Sequence, residues 1–361
     1  MIYLILIVAI ILSYFIAYRT FNDQKKAKRF FVIAAFLLIF LVCVLRKYTV
    51  GLDMPKYYNI YLEAFYVPFR DFGYIYFEKG YLLLMKICVF LNMPFEWFMF
   101  ICSLIMIVPV AVFIYNFSDR VLLSTIIFVC YMFFEFYLTG LRQAMAMSIW
   151  LIGATILLKE IRFKYIWYAL FSLIAFYFHK GAVIAIILPF VIRFRKTTFV
   201  LIVSLLVLAL LLMFRSQILN LLKDYFERES INTHAKIYVG TNTIFLMAIL
   251  AASILFYQVS LVKNNNQSSA SLIIGKEHEF LNMMIIGVGL MFFLGLDTTV
   301  RSTMFYLLAI TIVIPNMIAH LDKRSSVFVE MIAIVFFVSY FLLNIFTNNR
   351  FAMLPYRFFW Q

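Results

Sequence analysis

Residues 97–117, WFMFICSLIMIVPVAVFIYNF, run for 21 positions without a charged side chain. A helix of about 20 apolar residues, rising 1.5 Å each, matches the hydrocarbon thickness of a bilayer. The segment therefore predicts a membrane-spanning helix, and the same texture recurs along the chain. Further apolar blocks are Ile2–Tyr18, Phe30–Leu45, Tyr81–Asn92, Val121–Leu138, Leu141–Leu158, Tyr165–Phe178, Ala182–Ile192, Phe199–Phe214, Thr243–Val262, Phe280–Gly295, Met304–Ala319 and Val327–Phe346. The expectation is one all-α polytopic membrane domain over residues 1–361, with about 12–14 transmembrane helices. Strict alternation in segments of about 10 residues, the mark of a membrane β-barrel, does not occur. Two polar stretches interrupt the pattern, at 46–79 and 215–240, and both are expected outside the cytoplasm. Within the first, Lys56–Tyr66 is rich in aromatic residues and predicts a helix lying in the interface.

Composition agrees with this reading. Of 361 residues, 66% are hydrophobic and only 13% charged, an excess no water-soluble core hides. The net charge of +14 resides largely in short loops, where basic residues set topology, so nucleic acid is not an expected partner. The four cysteines, Cys43, Cys88, Cys102 and Cys130, all lie in apolar blocks, without CxxC or metal-site spacing. Met1–Tyr18 lacks a basic start and a small-residue cleavage site, so it reads as a retained first helix. The basic loops Arg19–Arg29, Lys159–Lys164, Arg193–Lys196 and Lys323–Arg324 belong in the cytoplasm by the positive-inside rule. Both termini then lie outside. Between Arg29 and Lys159, however, the apolar blocks give an odd number of crossings. Tyr81–Asn92, short and carrying Lys86, is the segment expected to be half-inserted or re-entrant.

Four polar clusters fall on the outer side of this topology. Arg46, Lys47, Gly51 and Asp53 precede Tyr57 and Tyr58, and a turn at Gly51 can aim Asp53 back at Arg46. Arg142 and Gln143 open an apolar helix, where positive helix potential adds to the guanidinium and suits an anion such as a diphosphate. The bland alternative is an interfacial Arg142 paired with Glu135. His179 and Lys180 stand between two apolar segments, and the setting favours a neutral, base-competent imidazole. Asp297 and Arg301 begin another helix, with Tyr306 on the same helix. Basic groups gathered at one membrane depth suit a ligand with an anionic head and an apolar tail. No Walker motif, GxGxxG, HExxH or DxD pair occurs. Glu277-His278-Glu279, His234 and His320 read as solvated loop residues, so neither metal nor cofactor is expected.

Taken in order, these residues carry a resemblance. Arg46…Val50-Gly51-Leu52-Asp53…Tyr57, Glu78-Lys79-Gly80-Tyr81, Leu141-Arg142-Gln143-Ala144-Met145-Ala146, Phe178-His179-Lys180-Gly181-Ala182, Arg301…Tyr306 and Leu354-Pro355-Tyr356 resemble the motifs of the EpsG family of exopolysaccharide-synthesis proteins, which are similar to Wzy-type polymerases. Leu52 departs from the family's usual small polar residue and leaves the Asp in place. The resemblance implies a GT-C-like fold in a bacterial plasma membrane, acting on its outer face without nucleotide or metal. The implied reaction moves a growing glycan from undecaprenyl diphosphate onto a lipid-linked repeat unit. The implied partners are the undecaprenyl-diphosphate-linked oligosaccharide, membrane lipid, and the flippase and chain-length regulator of the same pathway.

On that reading His179 or Asp53 is the base. Arg142, Arg301, Arg46 and Lys180 hold the diphosphate, and Tyr57, Tyr58, Glu78, Gln143 and Tyr306 face the sugar. The rival readings are a glycosyltransferase adding one sugar from a polyprenyl-phosphate donor, and a lipid-linked oligosaccharide flippase or transporter. A single added sugar, or paired internal symmetry, would distinguish them.

Overall fold

The structure, a computed structural model, describes residues 1–68, 77–192, 197–214, 216–218, 220, 241–265, 277–294, 300–349 and 351–361. Among these the protein is helical, with one isolated β-bridge between Arg46 and Phe358. It is a polytopic membrane protein. The chain divides into two compact units, Met1–Val183 with Ile318–Gln361, and Ile184–Met317.

The first unit contains α1 (Ile2–Thr20), α2 (Gln24–Val44), α3 (Met54–Glu63), α4 (Lys79–Phe90), α5 (Phe95–Phe117), α6 (Val121–Cys130), α7 (Phe133–Thr139), α8 (Leu141–Leu158) and α9 (Lys164–Phe178). A 3₁₀ segment at Lys180–Ile187 starts in the first unit and runs into the second, which then contains α10 (Leu188–Val191), α11 (Thr197–Met213), α12 (Thr241–Asn265), α13 (Glu277–Leu294), α14 (Val300–Leu307) and most of α15 (Ile310–Ala319). The chain then returns to the first unit through α16 (Lys323–Thr347).

Among the described residues five helices are long and apolar enough to cross a membrane, α1, α2, α5, α8 and α16, and the bent pair α6–α7 makes a sixth. Several apolar blocks form helices too short to span alone. Ala182–Ile192 becomes a 3₁₀ turn plus the four-residue α10, and Tyr165–Phe178 becomes the 15-residue α9. The block Phe199–Phe214 forms α11, one residue short of the length of α8. The stretch 221–240 lies outside the described residues.

Helix α8 is the hub of the first unit. It packs on α5 and α9, and Leu141, Ala144, Met145, Trp150, Leu151 and Ala154 on it are fully buried. Its polar side chains are satisfied across those contacts. Ser148 Oγ donates to Met106 O at 2.7 Å, and Trp150 Nε1 donates to the Tyr168 hydroxyl at 2.8 Å. In contrast α1 and α16 leave Leu4, Ile5, Phe15, Phe328, Val335 and Leu343 exposed. Apolar stripes of that size are tolerated where lipid is the solvent.

The two ends of this bundle differ. At the basic end Lys28 Nζ donates to Ser118 O at 2.6 Å, Lys159 Nζ donates to Asn116 Oδ1 at 2.9 Å, and Arg120 pairs with Glu330 at 3.0 Å. These contacts gather the starts of α2, α6 and α16 with the ends of α5 and α8. At the opposite end the chain after α2 meets the C-terminal tail. Lys47 N donates to Arg357 O at 2.8 Å, and Gly51 N and Leu52 N donate to Ala352 O and Phe351 O at 3.0 Å. Gly51 has φ +108°, and a Cβ there would lie 2.3 Å from Leu138 O, so only glycine fits this turn.

The parity of crossings resolves on α4. Its 12 residues reach about 18 Å, too short for a span. It starts beside the end of α9, where Glu78 meets His179. It ends beside the start of α5, where the Tyr61 hydroxyl donates to Met93 O at 2.7 Å. Both its ends therefore lie at the same end of the bundle. Lys86, the odd residue of this segment, donates to Ala64 O at 2.8 Å and also to Val67 O, closing the C-terminus of α3. The crossings between Arg29 and Lys159 are then α2, α5, α6–α7 and α8, an even number that returns both basic loops to one side.

Candidate active site

Glu78 stands at the N-cap of α4 and is buried to 8% exposure. A carboxylate in such a place needs partners for both oxygens, since burial without them costs several kcal/mol. Oε1 accepts from His179 Nδ1 at 2.9 Å and from the Lys180 backbone N–H at 3.3 Å, and Oε2 accepts from Arg142 Nη1. One acid thus joins the end of α9 to the start of α8.

A close backbone approach makes this possible. Gly80, two residues after Glu78, packs on the last turn of α9. A Cβ on it would lie 2.8 Å from Tyr177 O and 3.1 Å from Phe178 Cδ2. His179 follows that turn in an extended conformation that ends α9. The E-x-G spacing therefore delivers the acid to the histidine through the bare face of the glycine.

Arg142, in the first turn of α8, is held on three sides. Besides Glu78, its Nε donates to the Tyr57 hydroxyl at 3.5 Å, and its guanidinium carbon lies 4.1 Å from the centre of the Phe77 ring and 6.0 Å from that of Tyr57. Stacking of this kind suits the delocalised guanidinium. Arg142 Nη2 makes no hydrogen bond among the described residues. Tyr57 is buried on α3 and its ring meets Phe77 and Tyr81 at 5.5 and 5.6 Å.

The electrostatics follow from these contacts. Burial pushes the Glu78 carboxyl up, but the hydrogen bond from His179 and the Arg142 charge outweigh it and hold the carboxyl at about 2. Glu78 is ionised, and an ionised carboxylate only accepts. His179 Nδ1 therefore carries the proton facing it, which turns Nε2 away from the carboxylate. Burial pushes the Tyr57 hydroxyl up and the nearby Arg142 draws it part of the way back, so Tyr57 stays neutral.

The other residues singled out in the sequence lie elsewhere or in other company. Arg46 is buried, with its Nη2 3.4 Å from Met54 Sδ and with Nε and Nη1 lacking a hydrogen-bond partner. The side chain that meets Arg46 after the Gly51 turn is thus Met54, and Asp53 stands at the N-cap position of α3. Arg142 pairs with Glu78 and not with Glu135, which lies one short helix earlier. Tyr58 stacks on Tyr48 with centroids 4.0 Å apart and meets the Phe95 ring at 5.1 Å. Gln143 is buried in the first turn of α8. The Lys180 backbone joins the cluster. Tyr306 is in the second unit, buried, with its hydroxyl donating to Ile184 O at 2.7 Å. Arg301 lies in α14, and its side chain, like residues 297–299, falls outside what is described. Phe77 was absent from the sequence reading; the aromatic directly before the Glu78 motif was its only signal.

No group of three or more His, Cys, Asp or Glu side chains able to hold a metal occurs among the described residues. No curated protein and no solved structure matches the chain. The model of the EpsG family matches residues 28–358, which include every motif of the cluster. The chain belongs to the EpsG family, a family of Wzy-like exopolysaccharide polymerases.

Proposed function

We propose that the protein polymerises a polysaccharide by moving the growing glycan from undecaprenyl diphosphate onto a lipid-linked repeat unit, with Glu78, His179 and Arg142 as the working cluster. The observation that carries this reading is Glu78 itself, whose two oxygens join an imidazole to a guanidinium. A base and an anion-holding group must stand close together for this chemistry. The acceptor hydroxyl loses its proton to His179 Nε2 as its oxygen bonds to the anomeric carbon. The bond from that carbon to the diphosphate oxygen breaks, and the leaving oxygen takes the electron pair. Arg142, fixed by Glu78, Tyr57 and Phe77, offers the rest of its guanidinium to the charge that develops there.

The positive-inside rule supports an outer location for this cluster in a bacterial plasma membrane, because it lies at the bundle end opposite Lys28, Arg120 and Lys159. Arg46 is a further candidate to meet the diphosphate, Asp53 is the alternative base, and Tyr58 and Gln143 are candidates to meet sugar. A GT-C-type, nucleotide-independent transfer fits a chain whose sequence lacks nucleotide and DxD motifs. The pathway's flippase would supply the substrate, and its chain-length regulator would act on the product.

The test is Arg142→Ala in the native host, with lipid-linked intermediates and polymer sized together. The single lipid-linked unit should accumulate while polymer disappears. Polymer of unchanged length would refute the assignment, and a product extended by one sugar only would favour the single-addition glycosyltransferase.

A further inference from the structure

Helices α6 and α7 form one membrane span broken in its middle, with a 50° bend. The break is at Tyr131–Met132, and Met132 adopts a left-handed conformation with φ 45°. A broken helix inside a bilayer leaves backbone groups that no water can satisfy. Here Tyr131 N reaches Ile127 O, and Phe133 N reaches Tyr131 O. Among the described residues no hydrogen bond reaches the carbonyls of Phe128, Val129 or Cys130, and all three residues are fully buried. They form the negative end of α6.

One turn beyond the break stands Glu135. It is 5% exposed, and no hydrogen bond or ion pair to it occurs among the described residues. Its carboxyl lies within electrostatic reach of Cys130, the last residue of α6. A carboxyl buried beside the carbonyl end of a half-helix gathers negative potential, and among the described residues no basic side chain pairs with it. The seven-residue α7 contributes little positive potential at its own start. Broken membrane helices with such carbonyl ends coordinate small cations, and intramembrane carboxyls carry protons or ions.

We propose that the α6–α7 break is a binding site for one small monovalent cation, a sodium ion or a proton, held by Glu135 and the carbonyls of Phe128, Val129 and Cys130. This site is separate from the Glu78 cluster and does not rest on the polymerase reading. A cation seated there completes the hydrogen-bonding and charge needs of the broken span and fixes the angle at which α7 leads into α8.

A hydrophobic carbodiimide, which reacts with protonated carboxyls in apolar surroundings, tests this on the full-length protein in lipid nanodiscs, read by mass spectrometry of the Glu135 peptide. In sodium-free buffer Glu135 should be modified. Sodium at about ten times its dissociation constant should slow the reaction about tenfold if the ion is sodium. If the cation is a proton, sodium should have no effect and the rate should fall as pH rises. Sodium-dependent or pH-dependent thermal stabilisation of the wild type should accompany the respective result and vanish in Glu135→Gln. Glu135 left unmodified in sodium-free buffer at every pH, or modified at a rate indifferent to both sodium and pH, would overturn the proposal.

Discussion

Glu78 Oε1 stands 2.9 Å from His179 Nδ1, although the two residues are 101 positions apart in the chain. The same carboxylate holds Arg142 with its other oxygen. Substituting any of the three therefore changes the surroundings of the other two, and their effects will not add.

Replacing Glu78 by Gln keeps the size and removes the charge. The amide can still accept from one partner, but it no longer fixes the histidine tautomer. Polymer synthesis should fall by up to about 10²–10⁴-fold, the range that a general base contributes, because the histidine then loses the partner that orients it. Membrane levels of the protein, followed by immunoblot, should stay near wild type. Activity within twofold of wild type would remove Glu78 from the account.

Arg142→Lys tests geometry against charge. A lysine keeps the positive charge but cannot stack on Phe77 and Tyr57 while presenting a second edge. Polymer yield should stay close to that of Arg142→Ala, and full rescue by lysine would show that charge alone suffices. Arg142→Ala should also lower thermal stability, by about 3–5 kcal/mol if Glu78 remains buried without its cation. Combining it with Glu78→Gln should restore part of that loss in a melting experiment without restoring polymer.

Gly80→Ala pushes a methyl group into Tyr177 O, which would lie 2.8 Å away. Relief requires α4 and α9 to separate, at about 1–3 kcal/mol. Because Glu78 leads directly into α4, that movement should lower activity more than stability. A melting temperature and polymer yield both equal to wild type would contradict the close approach.

The Glu78 carboxyl, held at about 2 against an ordinary 4.5, gives a pH signature. A depressed carboxyl contributes stability in full above the unfolded value and loses it as pH falls through the folded one. Thermal stability should therefore include a decline between about pH 4.5 and pH 2 that Glu78→Gln reduces, while the two proteins track each other in slope above pH 5. An identical acid decline in both would show that Glu78 is not held down by its partners.

The fold class was legible from hydrophobic run length, because a bilayer imposes that length on any helix crossing it. Run length failed where an apolar block is broken internally. Val121–Leu138 splits at Met132, and Ala182–Ile192 winds partly as 3₁₀ helix, and composition does not encode either break. Lys86 marked its segment as anomalous, and it serves as a cap for α3 rather than as a buried charge in a span. The residues of the cluster were legible as motifs, but their pairing was not. Glu135 is nearer to Arg142 in sequence, whereas Glu78, brought to the end of α9 by the Gly80–Tyr177 contact, is the acid that pairs with it. That contact depends on two helices meeting, and no local pattern announces it.

The central claim is that His179, oriented by Glu78, serves as the base of glycan polymerisation. The direct measurement is the profile of lipid-linked intermediates and polymer in cells whose only copy of this protein carries His179→Ala, at wild-type membrane levels. The account predicts loss of polymer by about 10²–10⁴-fold, with the single repeat unit retained on its lipid diphosphate. A normal polymer ladder from those cells would contradict it.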